Sequence, residues 1–176
     1  MATLFSIGHS TRTLEEFLGT LKAHGIQTLA DIRAFPASRR LPHFGRESLE
    51  EMLPADGISY IWMKDLGGYR KRLLDDSPNM ALRNQSFRNY ADYMLTPQFE
   101  KAVGELVDAA QYTRVVYMCA ERHWSQCHRM LVSDWLVAHG HRVLHIDGAG
   151  EPKPHRLMAE ARLVDGQVLY QGDLLF

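Results

Sequence analysis

Short apolar runs alternate with amphipathic stretches along most of the chain, and this alternation predicts strands interleaved with helices. Leu4-Phe5-Ser6-Ile7 is an apolar run that stops at Gly8, as a buried strand ending in a turn does. Thr13 and Glu16 then form a capping-box pattern ahead of Leu14, Phe17, Leu18 and Leu21, a helical stripe that closes at His24-Gly25. Ile26 to Ile32 supplies a second strand. Pro36, Pro42 and Gly45 require a loop before a short helix around Glu47 to Leu53, and Ile58 to Trp62 reads as a third strand. Helical spacing returns at Phe87, Tyr90, Ala91 and Met94, and again after Pro97 at Phe99, Val103, Leu106, Val107 and Ala110. Val115 to Met118 is a strand that runs directly into Cys119. A polar loop follows, then a helix from near Cys127 or His128 to His139-Gly140, and a fifth strand from Val143 to Ile146.

These elements predict one α/β domain over residues 1–176, a three-layer fold whose mostly parallel central sheet of about five strands is flanked by helices. Beyond the breaker-rich Gly148 to Pro154, Leu163-Val164 and Gln167-Val168 flank Asp165-Gly166, a two-residue turn that predicts an appended C-terminal hairpin. Met63 to Gln85 is mostly charged and is interrupted by Gly67, Gly68 and Pro78; a loop of that length in a small domain is usually functional or mobile.

With 176 residues, 45% of them hydrophobic, the chain can bury one sizeable core but is short for two. A formal net charge of −1 excludes a global field for nucleic acid or membrane and leaves only local basic patches to examine. There are two cysteines, no basic segment followed by a long apolar run at Met1 to Phe5, and no apolar run near the roughly 20 residues that span a bilayer. The expectation is a soluble, cytoplasmic protein with reduced thiols and no membrane partner.

In an open parallel sheet, ligands bind beyond the carboxyl ends of the strands, where crossover helices present their amino termini. Three chemically versatile segments are predicted to share that rim: Gly8 to Arg12, Asp31 to Arg40, and Cys119 to Arg129. Cys119, at a strand end facing helix amino termini with Arg122, His123 and Arg129 nearby, is the expected nucleophile or redox group, and Glu121, His9 or His128 would handle protons. The alternative is a pair of inert, buried thiols. Ser10, Arg12, Asp31, Arg33, Ser38, Arg39, Cys127 and Arg129 are the expected binding residues, with Arg33, Arg39 and Arg129 holding the anion because guanidinium forks match phosphate. Asp31 and Arg33 also admit a purely structural ion pair.

The ligand class implied is an anionic, phosphate-bearing small molecule or nucleotide. Cys119, Cys127, His128 and His9 offer a zinc-like donor set, yet seven residues separate the cysteines, unlike the short gaps of structural zinc sites, so no metal is assigned and the cofactor stays open. Lys64, Arg70, Lys71, Arg72, Arg83 and Arg88 interleave with Trp62, Tyr69, Phe87 and Tyr90, a mixture that suits single-stranded nucleic acid. Asp65, Asp75 and Asp76 offset part of that charge, as in an ordinary solvated loop.

Taken together, Gly8-His9-Ser10, Asp31-Ile32-Arg33 with Pro36 and Ser38-Arg39, Leu66-Gly67-Gly68, Tyr90 with Tyr93-Met94, and Cys119-Ala120-Glu121 with Cys127-His128-Arg129 resemble the domain of unknown function 488 family, from about Ser6 to Ile146. The resemblance implies an α/β fold and a shared set of residues, without a reaction. A looser similarity is to rhodanese and cysteine-phosphatase domains, where a cysteine after a parallel strand sits in an anion-cradling loop. Those domains carry an arginine in the loop at the position held here by Ser125, so their cradle is absent.

Overall fold

Helix α1 (Leu14–Ala23) begins where the capping pattern predicts. The Thr13 hydroxyl accepts the Glu16 backbone N–H at 3.1 Å, and Glu15 and Glu16 occupy the electropositive first turn. The helix joins β1 (Thr3–Gly8) to β2 (Thr28–Asp31). A computed structural model describes residues 1–172 of the chain; the single-domain expectation over 1–176 includes 173–176, which lie outside the described residues. β3 (Ser59–Trp62), β4 (Val115–Cys119) and β5 (Arg142–Ile146) complete a parallel array in the order β3-β2-β4-β1-β5.

A sixth strand, β6 (Lys153–Pro154), lies antiparallel to β5 at the sheet edge. It falls in the stretch whose glycines and prolines suggested only irregular chain, and the edge position tolerates the N–H that Pro154 lacks. The sheet therefore has one strand more than expected.

Two apolar layers follow from the alternation of side chains along each strand. Phe5 and Ile7 of β1 pack with Phe17 and Leu21 of α1 and with Leu49 of α2 (Arg46–Met52). Leu4 belongs to the opposite layer, with Tyr90 of α3 (Gln85–Tyr93), Phe99 and Val103 of α4 (Pro97–Tyr112), and Leu131 of α5 (Arg129–Ala138). Each such fully buried side chain contributes about 1.5–3 kcal/mol. The predicted hairpin is present as β7 (Ala161–Val164) and β8 (Gln167–Tyr170). Asp165 and Gly166 both have positive φ, as a mirror-image two-residue turn requires, and Val168 and Tyr170 pin the hairpin to the α5 side. Among the described residues no helix is long and apolar enough to cross a membrane.

Strand order also locates a crevice. β1 and β4 are neighbours, but α1 carries β1 to one side while α5 carries β4 to the other. At such a reversal the two crossovers diverge and leave space beyond the strand ends. Gly8 and Cys119 are register partners at that point.

Candidate active site

Three loop segments leave adjacent strands side by side. The His9 backbone N–H donates to the Cys119 carbonyl and that of Ser10 to the Ala120 carbonyl, both at 2.9 Å, while the Ile32 N–H donates to the Met118 carbonyl at 3.0 Å. Between them opens a cavity of about 420 Å³ lined by His9, Arg33, Ser38, Cys119, Glu121, Cys127 and His128. Phe35 and Tyr69, 73% and 69% exposed, also line it, and their ring centroids are 6.0 Å apart.

Both thiols are free, and their sulfurs lie 2.8 Å apart. The intervening loop doubles back through a 3-10 turn at Trp124–Gln126, so that Cys127 precedes α5 and lies over Cys119. Cys119 also has the Glu121 carbonyl as an acceptor at 3.6 Å, so it is the protonated donor of the pair. The first N–H of α5, from Arg129, donates to Cys127 Sγ at 3.4 Å. Burial alone would raise the Cys127 thiol, but the hydrogen bond from Cys119, then His128, then the Arg129 charge outweigh it and bring it down to about 4. Burial pushes Cys119 up, and the neighbouring Cys127 adds to the rise. The direction of both shifts favours the thiolate on Cys127, which also accepts the first N–H of α5, whereas the sequence pointed to Cys119 as the nucleophile.

His9 donates through Nδ1 to the Ser10 carbonyl at 2.8 Å, which leaves Nε2 to accept from Arg33 Nη1 at 3.4 Å. Burial, with the Arg33 charge adding to it, lowers this imidazole to about 4 despite the Ser10 hydrogen bond. His9 is accordingly a neutral acceptor at the cavity wall. His128 donates from Nε2 to the Ile32 carbonyl at 2.7 Å. Its ring packs so tightly against Gly68 that a Cβ there would stand 2.4 Å from Nδ1. That contact gives a physical reason for glycine in the Leu66-Gly67-Gly68 segment.

Of Arg33, Arg39 and Arg129, expected to hold an anion, Arg33 lines the cavity. Arg33 makes a buried fork with Asp31, at 2.9 and 2.7 Å, and donates to the Phe44 carbonyl, while the Tyr60 hydroxyl adds a 2.5 Å bond to Asp31. Asp31 is thus sealed beneath the wall and contributes structure. Arg129 is 1% exposed and donates to the Glu121 and Arg122 carbonyls at 2.9 and 3.1 Å. Arg12 turns away to the Gly8 carbonyl and to Asp147, and Arg39 is exposed outside the cavity. Ser10 bends the loop at a positive φ of 52° and is absent from the lining. Of the loop cations suggested for nucleic acid, Arg70 stacks over Tyr93 and donates to the Gly67 carbonyl, Arg72 donates to the Leu74 carbonyl, and Arg88 donates to the Leu82 carbonyl.

Donor atoms of Cys119, Glu121 and Cys127 lie within 4.8 Å of one another. The Arg129 charge acts on both sulfurs, however, and a second cation in their midst would meet its repulsion. We therefore read the pair as free sulfurs with a Glu121 carboxylate oxygen within 4.8 Å of both. Tyr60 of β3, whose hydroxyl bonds Asp31, is a neighbour of the site that sequence reasoning missed, since within the third strand it carried no signal beyond an aromatic ring.

The family model described as "Domain of unknown function DUF488" matches residues 13–136. That span holds the second and third loop segments and leaves Gly8 to Arg12 just outside it. No curated protein and no solved structure matches the chain.

Proposed function

Because the chain belongs to the DUF488 family, whose description names no reaction, we propose from its own residues that it is a dithiol enzyme that exchanges with a small anionic compound containing a reducible sulfur. The Cys127 thiolate attacks one sulfur of a substrate disulfide, that bond breaks, and the departing thiolate takes up a proton from solvent. Cys119 then gives its proton to Glu121 and attacks Cys127 Sγ, expelling the second substrate thiol and closing a Cys119–Cys127 disulfide. Two electrons have passed from protein to substrate, and a low-molecular-weight thiol of a reducing cytoplasm resets the pair. Arg33 supplies positive charge at the wall, and the rings of Phe35 and Tyr69 offer flat faces at the mouth to a base or other ring of a nucleotide-like substrate.

The observation that carries this reading is the 2.8 Å approach of two free sulfurs at an open cavity. A single nucleophile needs no second sulfur in contact, whereas a resolving thiol must be there. Dithiobis(nitrobenzoate), an anionic aromatic disulfide, is a direct probe. At pH 6 the wild type should release two nitrothiobenzoate ions and retain none. Cys119→Ser should release one and retain one as a stable mixed disulfide, and Cys127→Ser should react slowly. A wild type that retains a stable mixed disulfide, or equal rates for the two single variants, contradicts the proposal.

A further inference from the structure

Beneath α5, on the side away from the cavity, runs a line of buried polar groups that the exchange chemistry does not touch. Asp134 and Ser6 are fully buried, and His145 and His155 nearly so, within an otherwise apolar layer. Burying such groups is unfavourable unless every one is bonded. Here each bond dictates the next. Asp134 accepts from His155 Nε2 at 2.7 Å, from the Met158 N–H at 3.2 Å and from the Tyr170 hydroxyl at 2.9 Å. With its Nε2 proton committed to Asp134, His155 can offer Nδ1 as an acceptor to His145 Nε2, 2.8 Å away. His145 Nδ1 must then accept, and the Ser6 hydroxyl supplies that bond. Ser6 Oγ is left to accept from Arg129 Nη1, a long contact of 3.4 Å.

In this arrangement the hydrogen bonds run unbroken from the Arg129 guanidinium through Ser6, His145 and His155 to the Asp134 carboxylate. From the other side, the Glu121 and Arg122 carbonyls hold Arg129 Nη2. Trp124, in the loop between the cysteines, stacks on His145 at 4.8 Å and 7° and adds a second tie from the line to the thiol loop.

We propose that Asp134, His155, His145 and Ser6 are positioning residues that fix the Arg129 guanidinium against the sulfur pair and so set the acidity of Cys127. The proposal rests on the thiolate reading above. Other groups that act on the sulfurs are Glu121 from the loop, His128 at the start of α5, Tyr117 from β4 and Tyr90 from α3, with His9 and Arg33 across the cavity. The Glu121 carbonyl on Arg129 and Trp124 on His145 also tie the thiol loop to the line, so the Arg129 background is what separates a route through the guanidinium from one through the loop.

The test is a double-mutant cycle read by the pH midpoint of Cys127 carboxamidomethylation, followed by peptide mass mapping. Asp134→Asn should raise the midpoint by about one unit, a roughly ten-fold slower reaction at pH values below it. The same substitution in an Arg129→Gln background should add nothing. Should Asp134→Asn fail to fold, as judged by far-ultraviolet circular dichroism, His145→Gln serves in its place. An unchanged midpoint in a folded variant, or an equal shift with and without Arg129, overturns the positioning role while a low wild-type midpoint keeps the thiolate reading. A wild-type Cys127 that titrates as a free thiol overturns both.

Discussion

Replacing Gly8 by alanine would drive a methyl group into the backbone that carries the thiols. A Cβ built on Gly8 stands 1.6 Å from the Glu121 carbonyl oxygen and 2.9 Å from Arg122 Cα. Because both obstacles are main chain, no side-chain rotation relieves them. Restoring even a 3.0 Å contact moves the Glu121 carbonyl by about 1.4 Å, and such overpacking costs about 1–3 kcal/mol. That movement also breaks the His9–Cys119 and Ser10–Ala120 backbone bonds, each worth about 1 kcal/mol. The expected total is about 3–5 kcal/mol, a large share of the roughly 5–15 kcal/mol that holds a domain folded. Urea unfolding followed by tryptophan fluorescence measures it. Gly19→Ala is the control: Gly19 is exposed in α1 with nothing within 4 Å of its would-be Cβ, so alanine there should stabilise by about 0.5–1 kcal/mol. A Gly8→Ala protein within 1 kcal/mol of wild type, with unaltered Cys127 reactivity, would refute the packing of β1 against the thiol loop.

Asp31→Asn should cost about 3–5 kcal/mol in the same urea assay, because it strands the buried Arg33 charge and weakens the Tyr60 bond; a loss under about 1 kcal/mol would make the fork dispensable. The buried histidines His9 and His145 should make the fold lose stability as pH falls below 6.5. Burial lowers His9 to about 4 and His145 to about 2, so between those values and 6.5 the unfolded chain binds protons that the folded one refuses, and stability rises with pH across that window. His145→Gln should flatten the slope of unfolding free energy against pH, and an unchanged slope would contradict a neutral, buried His145.

Much of the architecture is legible in the sequence because local rules agree there. Thr13 and Glu16 announce α1, Asp165-Gly166 announces the hairpin, and the apolar runs give the five parallel strands. β6 is not legible, since two residues carry no period. The rim was readable too, because Gly8, Ile32 and Cys119 each end or directly follow a strand. Three features escaped for a common reason, that they depend on where side chains turn after the strand ends. The loop from Cys119 to Cys127 doubles back, which no spacing rule reveals, and it delivers the second cysteine to the helix terminus. Arg12 and Arg39 look suited to an anion, yet Arg12 is drawn to Asp147 and Arg39 stays exposed. Asp134, His145 and His155 come from α5, β5 and the segment after β6, and each resembles a stray polar residue until the fold aligns them.

Cys127 as the thiolate and Cys119 as its protonated partner is the assignment on which the chemistry turns. Iodoacetamide labelling from pH 3 to 10, with the two peptides quantified separately, measures it directly. Cys127 should label first, with a midpoint near 4, and Cys119 only at much higher pH. Simultaneous labelling of both, with a common midpoint near the roughly 8.5 of a free thiol, would contradict it.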